Sequence, residues 1–192
     1  MSESTGDGTG DGAGAAGWTP LGDEDWPEAV VELRGGFAGR LDVYRVMARH
    51  PALLRAWAGL RQHVVLDTAL GAERSEVVIL RTGHRRGSAY EWAHHVVRAR
   101  AIGFDDTRIE SLRGPLEAMA PEDAVLARAV DELAADARLA PGTLAAVEAL
   151  VGQEGVLDLM ATVGFYSTLA FIVNTAGTLV DEDVAAALGS GG

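Results

Sequence analysis

The chain has 192 residues, of which 48% are hydrophobic and 23% are charged, and it contains no cysteine and no lysine. The lack of cysteine excludes disulfides, a thiolate nucleophile and cysteine-ligated metal centres, and the lack of lysine excludes a Schiff base. A formal net charge of −12 disfavours binding to nucleic acid or to anionic lipid, because both require a basic face. We therefore expect no nucleic-acid partner and no membrane partner. The N-terminus, MSESTGDGTGDGAGAAG, lacks the basic start and the apolar run of a signal peptide, so we expect a cytoplasmic protein.

The predicted elements are helical along almost the whole chain. Residues 1–22 are an acidic, glycine-rich tail with little to bury, so we predict disorder there and a single all-α domain over residues 23–188. Strand signals are scarce, since no sustained alternation of apolar and polar residues appears. Prolines at first helical turns and glycines after last turns indicate the helix limits. In chain order, helices are predicted from Asp25, over 40–49, from Pro51, over 72–86, over 88–102, over 105–112, from Pro121, from Pro141 (a short one) and over 153–175.

The last predicted helix, residues 153–175, is apolar almost all round. It is long enough to cross a membrane, but it includes polar residues such as Asp158, Tyr166 and Asn174. A helix that is apolar all round in a soluble protein is buried in the core or at a contact with another subunit. We therefore favour a buried or interface helix over a membrane span.

Most of the polar residues with chemical potential fall between Glu76 and His95. Glu76 precedes an apolar run, residues 77–80, that is typical of a protein core, so its carboxylate is either paired or has its pKa shifted by desolvation. The alternative is a first-turn glutamate that is left in solvent and favours the helix dipole. Ser88, Glu91 and His95 follow at spacings of three and four, which places them on one helical face. A glutamate one turn from a histidine can orient the imidazole and raise its basicity. A surface Glu–His pair is the alternative interpretation.

The same stretch contains a weak metal-binding pattern. Glu91-x-x-His94 is half of the motif used by di-iron helical bundles, which require a second copy that is missing from this sequence. A mononuclear site is the remaining metal hypothesis. Its ligands would be Glu76, His84, Glu91 and His95.

A basic cluster lies beside these residues. Arg81, Arg85 and Arg86 fall close together in an otherwise acidic chain. Arginine binds carboxylates through two parallel hydrogen bonds, so one hypothesis is an anionic substrate. The alternative is ion pairing with neighbouring carboxylates or with a helix end. His50 and His63 are interpreted as structural or surface residues.

A family resemblance emerges from these residues. The run SAYEWAHH over residues 88–95, with Arg74-Ser75-Glu76 before it and Ala101–Phe104 after it, resembles the carboxymuconolactone decarboxylase family, which shares a superfamily with the alkylhydroperoxidase D peroxidases. The resemblance is strongest over residues 51–113. The peroxidase branch has a Cys-x-x-Cys-x-x-x-His motif that follows a glutamate.

Here the two cysteine positions of that motif hold Ser88 and Glu91, the histidine position holds His95, and the glutamate position holds Glu76. The acid–base residues are kept and both thiols are absent. Thiol peroxidase activity is therefore excluded, because that chemistry requires a thiolate and then a disulfide.

The resemblance implies an all-α helical bundle that assembles as a homo-oligomer, a trimer or a hexamer, with a dimer also possible. It implies a cofactor-independent decarboxylase, a lyase acting on a small anionic substrate that is carboxylated or lactone-like. His95 is expected to be the general acid–base, Glu91 to orient it, and Glu76 to be a second acid–base. The expected substrate-binding residues are His84, Tyr90, Arg85, Arg86 and Ser88, and no metal is expected.

Three alternatives stay open at this point. The chain is a different proton-transfer enzyme such as an isomerase or a dehydratase, a metal-dependent enzyme using the Glu and His residues, or an oligomer that binds a ligand without turnover. The last of these predicts a closed, fully packed cluster of Glu76, His84, Glu91 and His95 with no cavity beside it.

Overall fold

The computed structural model describes residues 18–189, and the part of the chain it describes is helical with no strand. The expected all-α class is confirmed, while the disorder predicted for residues 1–17 lies outside the described residues. Short 3₁₀ turns occur at Asp23–Asp25, Glu28–Val30 and Leu116–Ala118, and a π-helical turn occurs at His63–Asp67. The helices are α1 (Val31–Arg34), α2 (Asp42–Met47), α3 (Pro51–Gln62), α4 (Gly71–Arg85), α5 (Ala89–Ala101), α6 (Asp106–Ser111), α7 (Pro121–Asp136), α8 (Pro141–Ala176) and α9 (Glu182–Gly189).

The folded part begins earlier than the predicted boundary at residue 23. The guanidinium of Arg45 donates to the carbonyl of Leu21 at 2.8 Å, and the Leu21 amide donates to the Arg45 carbonyl at 3.4 Å. The Arg49 guanidinium donates to the Thr19 carbonyl at 2.8 Å. Residues 18–22 therefore belong to the folded unit, because Arg45 of α2 and Arg49 just after it supply hydrogen-bond partners that composition does not reveal.

The first predicted helix also differs. Asp25 does not cap a helix but ends a 3₁₀ turn, and Pro27 precedes the next 3₁₀ turn in an extended conformation, with ψ at 133°. Trp26 is buried, and its indole N–H donates to the Val30 carbonyl at 2.9 Å. Burial of this tryptophan against the core fixes the turn and delays the regular helix to Val31.

Helix α4 is the central element, since every residue from 75 to 83 is buried. It packs against α5, α7 and α8. A Cβ atom at Gly83 would lie 3.4 Å from the Glu91 Cβ, so the missing side chain lets α5 approach closely. A polar residue inside such a helix needs partners. Arg81 has them, because it donates to both carboxylate oxygens of Asp131 at 2.8 and 2.6 Å.

Two apolar clusters stabilise the bundle, and α4 contributes to both. The first joins α4 and α5 to α7 and α8 and includes the fully buried Leu80, Leu126 and Leu159. The second joins the N-terminal elements to the end of α8, where the rings of Trp57 and Phe165 stack with centroids 4.5 Å apart. Glu76 therefore lies in a helix enclosed by apolar packing, and this favours a paired carboxylate over a solvated one.

Helix α8 combines the two C-terminal helices predicted from Pro141 and over 153–175. Its helical geometry is broken at Gly152, with φ 70° and ψ 178°, so the predicted separation occurs as a kink. The helix is long and apolar enough to cross a membrane, with a mean hydropathy of 1.8, but 61% of its most apolar window is buried in the protein. The core helix of a soluble protein has the same character.

Asp158 of α8 anchors the π-helical turn. Its carboxylate accepts from the Ala69 amide at 2.6 Å and from the Thr68 hydroxyl at 3.2 Å, and it lies 2.7 Å from His63 Nε2. Burial opposes ionisation, but these hydrogen bonds outweigh it and hold the pKa of Asp158 below its usual range. The turn, which the sequence does not predict, is thereby fixed against α8.

Candidate active site

Three ionisable side chains from α4 and α5 meet in the interior. His95 Nδ1 lies 2.7 Å from Glu76 Oε2, and His95 Nε2 lies 3.9 Å from Glu91 Oε2. The exposed fractions are 3% for His95 and Glu91 and 9% for Glu76. The ring of Tyr166 from α8 meets the imidazole edge-on, with centroids 4.8 Å apart. We call Glu76, Glu91 and His95 the acid–base centre.

The order of these contacts differs from the expected one. Glu91 was expected to orient His95 because the two lie one turn apart on the same helix. Their closest atoms are 3.9 Å apart, which is too long for a hydrogen bond. Glu76, from the neighbouring helix, makes the short hydrogen bond and therefore orients the ring.

Burial dominates the electrostatics of the centre. It raises the pKa of Glu91 to about 7, against the opposing charges of His94 and Arg98. The second oxygen of this carboxyl, Oε1, is buried without a hydrogen-bond partner among residues 18–189. Burial also lowers the pKa of His95, even though Glu76 favours the charged form. The raised basicity expected for His95 is therefore wrong, because desolvation outweighs the nearby carboxylate.

A neutral imidazole has one donor and one acceptor nitrogen. With the proton on Nδ1, His95 donates to Glu76, and its Nε2 lone pair faces the Glu91 side. Burial raises the pKa of Tyr166 well above its usual value, so that phenol stays protonated. The centre can therefore accept a proton on one side of the ring and release one on the other.

Two cavities adjoin the acid–base centre. The larger one has a volume of about 350 Å³, and the smaller one has about 20 Å³, enough for roughly one water molecule. Glu76 lines the larger cavity, whereas Glu91 and His95 line the smaller. The lining residues common to both are Val65, Arg98 and Tyr166.

Arg98 is a site residue that the sequence predictions missed. It lies on α5 one turn beyond His95, and it lines both cavities. The signal was present in the sequence, because residues 88, 91, 95, 98 and 102 continue one helical stripe at spacings of three and four. The basic cluster at residues 81–86 gives a stronger sequence signal for anion binding than a single arginine on that stripe.

Asp181 is a second missed residue. Its Oδ2 atom accepts from the Tyr90 hydroxyl at 2.5 Å and lies 2.6 Å from His94 Nε2, and its Oδ1 accepts from the Asp42 amide at 3.2 Å. These contacts tie the segment before α9 to α5 and α2. No sequence pattern links residue 181 to residue 90, since the pairing spans half of the chain. The expected substrate-binding residue Tyr90 also lines the smaller cavity, but its hydroxyl is engaged by Asp181 and by the amide of Val43.

The two arginines expected to bind substrate lie away from the acid–base centre. Arg85 is 3.4 Å from the carboxylate of Asp131, so ion pairing describes it better than anion binding. Arg86 donates to the Ser167 hydroxyl at 2.9 Å. Neither arginine lines the two cavities. Both follow the buried part of α4 and emerge at its C-terminal end.

His84 and Ser88 are likewise not brought to the centre. His84 is exposed and lines a separate cleft of about 230 Å³ beside Trp92 and Arg113. The Ser88 hydroxyl accepts from the Glu91 amide at 3.3 Å and so caps α5 at its N-terminus. Ser88 begins the predicted helical stripe, but its hydroxyl is used to cap the helix backbone and not to bind a substrate.

The mononuclear metal hypothesis is not supported by this arrangement. It needs His84 next to the acid–base centre, and the structure places His84 in a different cleft. Within residues 18–189, no group of three or more His, Asp or Glu side chains is arranged to hold a metal ion. In the Glu91-x-x-His94 half-motif, both residues line the smaller cavity, but His94 Nε2 is engaged by Asp181 at 2.6 Å.

Comparison with known proteins adds to this geometry. Residues 51–135 match the family model described as the carboxymuconolactone decarboxylase family. A search of curated proteins found no match. The matched segment runs from α3 into α7 and includes Glu76, Glu91, His95 and Arg98. Tyr166, in α8, and Asp181, just before α9, follow the matched segment. The part of the chain that holds the acid–base centre belongs to the carboxymuconolactone decarboxylase family.

Proposed function

We propose that the protein is a cofactor-independent decarboxylase of the carboxymuconolactone decarboxylase family. Its substrate is a small anionic molecule, carboxylated or lactone-like, that binds in the larger cavity beside Glu76. That cavity, of about 350 Å³, is within the range of ordinary small-molecule sites. The observation on which the proposal depends is a buried Glu–His hydrogen bond of 2.7 Å that borders a cavity of this size.

The chemistry requires one bond to break and one proton to be delivered. The bond between the ring carbon and the carboxylate breaks, carbon dioxide leaves, and the electron pair moves into the conjugated lactone carbonyl as an enolate. Glu76 delivers a proton to carbon, and the electron pair of the enolate forms the new C–H bond. The phenol of Tyr166, which lines the same cavity and stays protonated, can donate to the enolate oxygen.

The acid–base centre supplies and restores that proton. A proton moves from His95 Nδ1 to Glu76 along their hydrogen bond, and His95 Nε2 takes up a proton from the Glu91 side. The 3.9 Å gap between Nε2 and Glu91 borders the smaller cavity, which has room for about one bridging water. A Glu91 carboxyl with a pKa of about 7 is suited to exchange protons near neutral pH.

A ligand-binding oligomer without turnover is less well supported. That alternative predicts a fully packed cluster with no cavity beside it, whereas Glu76 borders a cavity of about 350 Å³. Binding alone also gives no reason to bury two carboxyls and an imidazole, since desolvating ionisable groups costs stability. An isomerase or a dehydratase would use the same residues, and product identification separates these reactions from decarboxylation.

The test is turnover of a panel of carboxylated lactones, followed by release of carbon dioxide and by product identification. Glu76→Gln and His95→Asn each remove the proton-transfer group with little change in volume, and we expect turnover to fall by about a hundredfold or more. The control is His50→Asn, since His50 caps α3 far from the centre and asparagine keeps a capping acceptor. Full activity in both site variants, or no turnover of any panel member by the wild type, contradicts the proposal.

We also propose that the protein acts in the cytoplasm as a homo-oligomer, a trimer or a hexamer. Two large apolar side chains of α8 are well exposed, Leu157 at 67% and Phe171 at 56%. Exposed apolar side chains on a helix of this length favour contact with another copy. Light scattering of the purified protein measures the assembly directly, and a monomer at micromolar concentration contradicts this proposal.

A further inference from the structure

Arg98 differs from most of the arginines in the described chain that are buried or partly buried. Arg81 and Arg108, for example, each make paired hydrogen bonds to an aspartate carboxylate. The side chain of Arg98 is partly buried, yet its guanidinium makes neither a hydrogen bond nor an ion pair within residues 18–189. A guanidinium has five N–H donors, and those of Arg98 meet no acceptor within the described chain. The geometry therefore leaves Arg98 available to a ligand.

The charge around Arg98 is also unbalanced. A second arginine, Arg61, lines the smaller cavity with its Nε buried and without a partner. Two guanidinium groups thus line the smaller cavity together with Glu91, and burial raises the pKa of Glu91 to about 7, so that near neutral pH this carboxyl is only partly charged. His95 adds no charge, because burial lowers its pKa. The two guanidinium groups beside this partly charged carboxyl favour a ligand that brings negative charge.

The walls of the larger cavity specify the rest of the ligand. Besides Arg98, three lining residues carry a hydroxyl or a carboxyl that can hydrogen-bond to a ligand: Glu76, Ser75 and Tyr166. The Ser75 hydroxyl is buried with no hydrogen-bond partner in the described chain, and the Tyr166 hydroxyl forms no hydrogen bond there either. The remaining wall is largely apolar and includes Val64, Leu66, Ile79, Ala101 and Ile102.

We infer that Arg98 is the specificity-determining residue that binds the carboxylate of a small monoanionic ligand in the larger cavity. The carboxylate lies against the guanidinium, a second oxygen of the ligand accepts from Ser75 or Tyr166, and the apolar body fills the side toward Ile102. This role of Arg98 rests on the proposed function only for the identity of the reaction, because the binding site follows from the unpartnered donors and the walls of the cavity. It replaces Arg85 and Arg86 as the anion-binding residues.

The experiment compares acids with their neutral esters. Isothermal titration calorimetry measures binding of benzoate, furoate and a carboxylated γ-butyrolactone, each beside its methyl ester. We expect the wild type to bind at least one acid about tenfold or more tighter than the matching ester, since a charge-assisted hydrogen bond contributes that much or more. Arg98→Gln removes this preference and weakens acid binding by about tenfold or more, while ester binding stays unchanged.

Two further variants separate a site from a general charge effect. Arg100→Gln lies on the same helix, where Arg100 pairs with Asp106 at 2.8 Å, and it removes the same charge without touching either cavity. It should bind the acid like the wild type. Ile102→Trp places a large ring at the wall of the larger cavity and should weaken both acid and ester. Because Ile102 is 40% exposed, this change leaves the core intact.

Each outcome decides between the two proposals. Equal acid binding by Arg98→Gln and the wild type, equal binding of acid and ester, or no binding of any acid by the wild type overturns the role of Arg98. Turnover that depends on Glu76 and His95 would then leave the proposed function standing. Acid binding that requires Arg98, with no turnover of any panel member, supports the anion site and contradicts the decarboxylase.

Discussion

Replacing Glu91 with Gln changes how the stability of the protein depends on pH. Burial raises the pKa of Glu91 from 4.5 to about 7, so the unfolded chain gives up this proton at lower pH than the folded protein does. A group whose pKa is raised on folding stabilises the protein below its unfolded pKa, and this stabilisation is lost as the pH rises through the folded value. Glutamine does not titrate, so the variant lacks this loss.

The size of the effect follows from the two pKa values of Glu91, 4.5 and about 7. Between about pH 5.5 and about pH 8, linkage predicts that the wild type loses about 2 kcal/mol of unfolding free energy relative to Glu91→Gln. The lower limit is chosen above the sequence pI of 4.7, where the protein carries little net charge. The prediction concerns the change with pH, because the buried amide of glutamine shifts stability by a constant amount.

The assay is urea unfolding at several pH values, followed by circular dichroism. The control is Glu154→Gln, which removes a carboxyl from an exposed position of α8 and should track the wild type at every pH. A free-energy difference between Glu91→Gln and the wild type that stays constant across the range would refute the reasoning. In that case Glu91 ionises in the folded protein as readily as in water, and it cannot act as the proton reservoir of the centre.

Three other predictions concern the fold, each measured by urea unfolding. Gly152→Ala should destabilise by about 1–3 kcal/mol because a side chain is strained at the φ of 70°, although a Cβ there meets no atom within 4 Å. Gly142→Ala, on the same helix with no positive φ, should be neutral or stabilising, and equal losses at the two sites would contradict the strain argument. Leu126→Ala, at a fully buried position, should lower the free energy of unfolding by about 2–5 kcal/mol. Leu157→Ala, at a position that is 67% exposed, should lower it by less than about 0.5 kcal/mol. Asp181→Ala leaves the Tyr90 hydroxyl and the His94 imidazole without their shared acceptor, so the free energy of unfolding should fall by about 1–3 kcal/mol. Amide hydrogen exchange in α9 should also become faster. Unchanged exchange would show that other contacts hold α9.

The amino-acid sequence by itself determined the class of fold and most helix positions. Apolar periodicity, prolines at Pro51, Pro121 and Pro141, and the cap at Asp105 are local signals, and helix formation depends mainly on local signals. The same is true of the acid–base centre. Glu76 was singled out by the apolar run that follows it and His95 by its spacing from Glu91, and both by a family resemblance that the match over residues 51–135 confirms.

The tertiary structure alone decided how those residues are connected. Whether Glu76 or Glu91 bonds the imidazole depends on how closely α4 and α5 approach, and Gly83 sets that distance across the helices. The sign of the pKa shift of His95 likewise depends on burial, which lowers the pKa by more than the Glu76 carboxylate raises it.

The cations were the hardest to predict. Arg85 and Arg86 attracted notice as a cluster, yet they lie near other partners, the Asp131 carboxylate and the Ser167 hydroxyl. Arg98 stands alone in the sequence and lines both cavities without a partner in the described chain. An arginine is available to a ligand only when its guanidinium is not already hydrogen-bonded to a nearby carboxylate or carbonyl. Packing between segments that are distant in the sequence decides which acceptors are near.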